Sequence, residues 1–370
     1  MTDRQTDKIL SLQGIRAVAF LGVFLFHCGI IETGPWAVSV FLMLSGFLMT
    51  YNYYDKCNCN LNFRTSALFS LRKIKKLYPL HITMMIMALL PILKEIFSNF
   101  QFDMLALSSA QVFANIFLIQ AWIPSNLFWY SLNGVAWYLS VLVFVYMMFP
   151  VILSFLKRLN FRKIWIFVIC VYFAQCIVSA CAGQYFSGEI CKFITYLLPM
   201  FRLGDFSIGC CLGWFYLKYK SNDDQKKTCC RAKASIIELS VILLNLIPVI
   251  IFTYKIGFWG EDMFRYNVIY TPFTALMIYV FSKGKGAISC FLSIKPLIWL
   301  ANVSSSCFLT HQIIIRYCDI IANKFSINLN AGFRVCLAFI ITIVFSRMFE
   351  IAESVIYQYR KSKTKSVVKA

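Results

Sequence analysis

Apolar runs close to twenty residues long follow one another from Leu12 to beyond Gly332, separated by short connections rich in Lys and Arg. The hydrocarbon core of a bilayer takes about 20 apolar helical residues to cross, and lipid leaves no partner for an unpaired backbone group. The chain is therefore read as all-α, a polytopic transmembrane helical bundle. Its 370 residues are 60% hydrophobic and 14% charged, with a mean hydropathy of +0.70. The net charge of +20 would suggest nucleic acid in a soluble chain. Here the cations collect in the connections and act as topology signals, so membrane lipids and not nucleic acid are the expected surroundings.

Eleven apolar segments begin near Leu12, Trp36, Leu80, Leu105, Trp137, Ile164, Phe193, Ser235, Asn267, Leu297 and Gly332. If all eleven crossed, the basic connection from Lys157 to Lys163 would fall outside, against the positive-inside tendency. The run from Leu105 to Trp122 carries Ser108, Ser109, Gln111, Asn115 and Gln120, which suits a re-entrant or interfacial piece buried in protein. Its removal leaves about ten spans and both termini in the cytoplasm. The expected organisation is one membrane domain over residues 1–370, with a short basic tail from about 355, an uncleaved first span and no room for a soluble domain. No internal repeat is visible, which weakens a transporter built on inverted repeats.

Most of the fifteen Cys residues lie in apolar runs and behave as small hydrophobes. Cys57, Cys59, Cys229 and Cys230 fall in connections placed in the cytoplasm, where reduced thiols are expected. Their CxC and CC spacings are not the usual ones for zinc, and no metal site is expected.

Charged residues inside the spans supply the chemistry. Arg16 and His27 stand eleven positions apart in the first run, close to three helical turns, so they share one helix face. Arg16 also suits a snorkelling anchor. Intramembrane ionisable groups usually face a bundle interior or a wet cavity and mark a functional path. Kept neutral by burial, His27 could act as a general base. Arg72, Lys73, Lys75 and Lys76 lead into Tyr78 and Pro79; the pair Lys73 and Lys76, at i and i+3, would present two cations to phosphate groups from the cytoplasm. Arg202 and Asp205 share a face and could form a structural ion pair, with Gly204, Gly209 and Gly213 allowing close helix approach. His311 sits in the outer half of the ninth span beside Thr310 and Gln312, where a hydrogen-bonded packing role competes with a functional one. His81 is placed near the cytoplasmic interface without a role.

Taken in order, these segments resemble the acyltransferase-three family of integral membrane acyltransferases. Arg16-x10-His27 followed by VSVFLMLSGFLMTY looks like the start of that family. The stretch before Tyr78-Pro79 is similar to its Arg-x-x-Arg segment, GVAWYLSVLVFVYMMFP to its Trp-x-Leu-Ser span with Ser140, PMFRLGDFSIG to its Pro-x-x-Arg-x-x-acid-Phe-x-x-Gly element, and SSSCFLTHQ to its late histidine segment. Two departures stand out. Lys73-x-x-Lys76, or Arg72-x-x-Lys75 in a register one residue earlier, replaces the arginine pair, keeping charge but losing the bidentate fork, and Leu139-Ser140 lacks the Glu that follows it in many glycan-modifying relatives.

The resemblance implies O-acyl transfer, most often of acetyl from acetyl-CoA, to a hydroxyl of a cell-surface or lipid-linked saccharide. Acyl-CoA is then a donor substrate, with no cofactor bound permanently and a bacterial inner membrane as the expected setting. His27 and Arg16 are the expected catalytic pair, with Lys73, Lys76, Arg72 and Arg202 holding the donor, and Asp205, Ser140 and His311 as further candidates. A base mechanism at His27 and a transient acyl-histidine both remain open, as do acyl chain length, acceptor and oligomeric state. The rival class is a transporter or flippase, using His27, His311 and the Arg202–Asp205 pair as a pathway.

Overall fold

The computed structural model describes residues 8–56, 62–98, 100–223, 231–257, 264–326 and 330–367, with side chains outside 220–223 and 360–367. The elements are α1 (Leu10–His27), α2 (Gly34–Tyr53), α3 (Phe63–Ile74), α4 (Tyr78–Ser98), α5 (Phe102–Ile116), α6 (Asn126–Trp129), α7 (Trp137–Arg158), α8 (Phe161–Tyr185) and α9 (Gly188–Lys192). They continue as α10 (Pro199–Asp223), α11 (Arg231–Thr253), α12 (Thr271–Ser282), α13 (Ala287–Leu292), α14 (Lys295–Lys324) and α15 (Ala331–Val367). No strand occurs among the described residues.

Among the described residues eight helices are long and apolar enough to cross a membrane: α1, α2, α4, α7, α8, α11, α14 and the part of α15 up to Tyr359. The other two expected spans are α10, with 25 residues, and the shorter α12, with 12. The segment expected to start at Phe193 is interrupted: a π-helical turn over Phe193–Leu197 ends at extended Leu198, and α10 begins only at Pro199. The basic tail expected from about 355 is a continuation of α15 through Val367.

The demoted segment has a definite form. α5 has 15 residues, roughly 22 Å at 1.5 Å per residue, and buries Ser108 and Asn115. It ends against the first turn of α4, where Tyr78 Oη donates to Ile116 O (2.9 Å) and His81 Nε2 lies 3.0 Å from Asn115 O. His81, expected at the interface, is thus fully buried. The chain then turns back until Asn133 Nδ2 donates to Leu309 O on α14 (2.8 Å).

Helix direction supports the same count. Arg16 bonds Ser305 while His27, eleven residues on, meets His311, so α1 and α14 run the same way. An odd number of crossings must separate them, and seven remain once α5 is left out.

Small residues bring α2 and α10 together. A Cβ at Gly46 would overlap the Phe206 carbonyl, and one at Gly209 the Met43 carbonyl, so glycine here is a packing requirement. α3 was not visible as an apolar run because it is amphipathic. Asn62 caps it by accepting from Arg64 N (3.0 Å), and Ser70 Oγ ties it to α7 at Val143 O (2.6 Å). Another feature missed in the sequence is Glu238 on α11, only 2% exposed. Its carboxylate accepts from Gly286 N (2.8 Å), Ser289 N (3.0 Å) and Ser289 Oγ (2.6 Å), capping α13 inside the bundle.

Candidate active site

Local chain geometry fixes where His27 ends up. Gly29 adopts φ 72°, and its N–H donates to Phe26 O (3.0 Å) while Ile30 N donates to Leu25 O (3.1 Å). This left-handed glycine closure makes His27 the last residue of α1 and satisfies the helix's final carbonyls.

A cavity of about 220 Å³ lies between α1, α2, α3, α7 and α14. α1 contributes Arg16; α2 contributes Ser45, Asn52 and Tyr53; α3 contributes Lys73. Tyr138 and Tyr146 come from α7, and Ser304, Ser305 and Phe308 from α14. Arg16 Nη2 donates to Ser305 Oγ. Lys73 Nζ donates to Tyr53 Oη (2.5 Å) and stands over the Tyr53 ring at 4.2 Å from its centroid. Two cations from separate helices thus share one partly open space lined by hydroxyls.

The basic cluster does not act as one unit. α3 ends at Ile74 and Lys75 is its cap, so Lys73 and Lys76 are not neighbours on one helical face, which corrects the i, i+3 expectation. Lys73 alone of the four reaches the cavity, while Arg72, Lys75 and Lys76 are exposed.

Behind Phe308 lies a histidine pair. The Phe308 ring is 5.9 Å from that of His311, and His311 is 5.0 Å from His27, centroid to centroid. His311 is fully buried, with Phe20 and Phe24 also against it. Its Nδ1 faces Phe308 O at 2.8 Å and Cys307 O at 3.2 Å. A ring nitrogen facing two carbonyls must carry the hydrogen, so the assigned neutral tautomer leaves the lone pair on Nε2. That Nε2 has no partner. On its far side His27 opens into a second, smaller pocket of about 80 Å³, which Cys28, Asp319 and Arg334 also line.

Arg202 and Asp205 lie elsewhere. Both are fully buried and bridge at 2.9 Å. Arg202 also donates from Nε to Tyr196 O (2.7 Å), from Nη1 to Asn267 Oδ1 (2.9 Å) and from Nη2 to Tyr266 O (3.0 Å). Gln175 and Thr271 donate to Asp205 Oδ1 at 3.4 and 3.3 Å. The guanidinium is committed to the protein and lines neither the 220 Å³ cavity nor the His27 pocket. Arg202, expected to hold the donor, joins α10 to the chain before α12 through these bonds. Ser140 is buried on α7 with its Oγ unpartnered, beside the cavity residue Leu139. Cys57, Cys59, Cys229 and Cys230, weighed for zinc, lie outside the described residues.

Sequence reasoning passed over Tyr53, Tyr138, Tyr146, Asp319 and Arg334. Tyr138 and Tyr146 had a usable signal, since hydroxyls eight apart in an otherwise apolar run fall near one helix face.

Fold and site together define a multi-pass helical membrane protein with charged and hydroxyl side chains gathered inside the bundle. A family model described as an acyltransferase domain matches residues 9–349. The chain belongs to that family, the acyltransferase-three family of membrane acyltransferases. It is 27% identical over 178 residues to the acyltransferase MdmB of Streptomyces mycarofaciens, covering 43% of this chain and 42% of that protein. It is 22% identical over 326 residues to the O-acetyltransferase OatA of Staphylococcus aureus strain NCTC 8325 / PS 47, covering 83% of this chain and 50% of OatA. The chain spans about half the length of the curated relatives it matches. No solved structure matches it.

Proposed function

We propose that the protein is a membrane O-acyltransferase that moves an acetyl or other short acyl group from acyl-CoA to a hydroxyl of a cell-surface or lipid-linked saccharide. One observation carries this reading. The His27–His311 pair stands between a cation-bearing cavity and a separate polar pocket, as expected where two substrates approach one base from different directions.

At about 220 Å³ the cavity is smaller than the roughly 300–1,000 Å³ of pockets that enclose a drug-sized ligand. It suits the narrow thioester arm of the donor, with the nucleotide outside near exposed Arg72, Lys75 and Lys76. Lys73 at the cavity then meets the donor's phosphate end, and Arg16 lies deeper, where charge develops on the thioester oxygen. His27 takes the acceptor hydroxyl proton as that oxygen attacks the thioester carbonyl. The C–S bond breaks, the ester forms, and the proton passes from His27 to the departing thiolate. His311, held through Nδ1 by two backbone carbonyls, packs against the His27 ring and limits its orientations. The donor cavity faces the cytoplasm in this reading and the His27 pocket faces outward, across a bacterial inner membrane.

Purified protein in detergent is incubated with radiolabelled acetyl-CoA. Saturable CoA binding with slow release of labelled acetate, lost in His27→Ala, is the expected outcome. No binding and no release, together with solute uptake by vesicles containing the protein, would sink this reading in favour of transport.

A further inference from the structure

The pocket on the far side of His27 carries its own recognition chemistry. Asp319 on α14 and Arg334 on α15 form an ion pair at 3.3 Å, with side chains 43% and 50% exposed respectively. Both line the pocket with His27 and Cys28, and Ile315, Val335 and Ala338 supply an apolar wall. A pair this exposed adds little to stability. Its polar atoms are accordingly free to exchange partners with an incoming group.

We propose that Asp319 and Arg334 read the acceptor, and that the acceptor group entering this pocket is the neutral, hydroxyl-bearing edge of a saccharide. This rests on the acyl-transfer reading above. Three features support it. The carboxylate accepts hydrogen bonds from hydroxyl hydrogens and the guanidinium donates to hydroxyl oxygens, so one pair addresses both faces of a vicinal or hydroxymethyl arrangement. The two charges cancel, which favours a neutral polyol over a phosphate or carboxylate group. The volume of about 80 Å³ holds several water-sized groups, since one needs roughly 10–15 Å³ on this measure. That is room for one edge of a sugar, presented end-on to His27, with the rest of the acceptor outside.

The test uses membranes from cells producing the full chain, which supply the native acceptor, and radiolabelled acetyl-CoA. Label is counted separately as free acetate and as alkali-labile ester on glycan. For Asp319→Asn and Arg334→Gln, the ratio of glycan ester to free acetate is expected to fall about tenfold, the effect of losing one well-placed polar contact. An unchanged ratio in both variants, whether the two rates hold or decline together, overturns the assignment. Wild-type membranes that bind no CoA and yield neither labelled product remove the acyl-transfer reading itself. Active wild-type membranes with unchanged variants remove only the role of this pocket.

Discussion

His27 and His311 meet ring to ring with centroids 5.0 Å apart and planes inclined at 51°. One arrives on the first helix and the other on α14, and the backbone carbonyls of Phe308 and Cys307 fix the tautomer of His311. Its other ring nitrogen, Nε2, is buried without a partner.

Because the proposed mechanism uses the two rings together, their substitutions should not add. His27→Ala is expected to lower acetyl-CoA turnover by about 10²–10⁴-fold, the usual share of a general base. His311→Ala should lose part of that, and the double variant no more than His27→Ala alone. Single-turnover rates on purified protein check this; fully multiplicative losses would separate the two rings.

Lys73 is the cation of the basic cluster that reaches the cavity, bound to Tyr53 and standing over its ring. Lys73→Gln should raise the KM for acetyl-CoA about tenfold with a smaller change in kcat, as for a charged contact removed from a binding site. Lys76→Gln, at an exposed position, should shift KM by less than about twofold at moderate salt. Equal effects at both positions would restore the cluster as a single unit.

The Arg202–Asp205 bridge is fully buried. Arg202→Ala leaves a carboxylate stranded among Gln175 and Thr271, and breaking a buried pair from one side costs about 3–5 kcal/mol. The expected result is a large fall in detergent-solubilised thermal stability with loss of folded yield. Arg202→Ala with wild-type stability and a selectively raised donor KM would return Arg202 to donor binding.

Phe308 lines the 220 Å³ cavity and packs against His311. Phe308→Ala should widen the passage from the cavity to the histidines that the proposed transfer uses, so that water competes better for the acyl group. Release of free acetate is expected to rise relative to transfer to glycan. Unaltered partition between the two products would show that the ring is not the barrier.

At the α2–α10 crossing, Gly209→Leu places a side chain where the Met43 carbonyl already stands. The helices must part or the protein fails to assemble, at a cost of about 1–3 kcal/mol or more. Thermal melting reads the loss directly; an unchanged melt would mean the crossing is looser than the structure has it.

Much of this architecture was legible because apolar length and charge asymmetry are local properties. Most helix starts fell within a few residues of the expected ones, and Arg16 and His27 share a face because eleven residues close three turns. The short α5 was signalled by its own polar residues. What could not be read depends on tertiary contact. The end of α3 at Ile74 decides that Lys73 turns inward while Lys76 does not, and nothing in RKIKK encodes it. Arg202 looked available to a donor until Tyr196, Tyr266 and Asn267 were seen to use its donors. Asp319 and Arg334 come from different helices and meet only after α14 packs on α15.

The shared direction of α1 and α14 has a consequence for how the protein is made. Its first histidine enters the membrane early in synthesis, but the ring it faces follows only after most of the helices between have been inserted. A partly synthesised chain therefore has no His27–His311 pair, and the meeting of the two rings is a late event that reports completion of the fold.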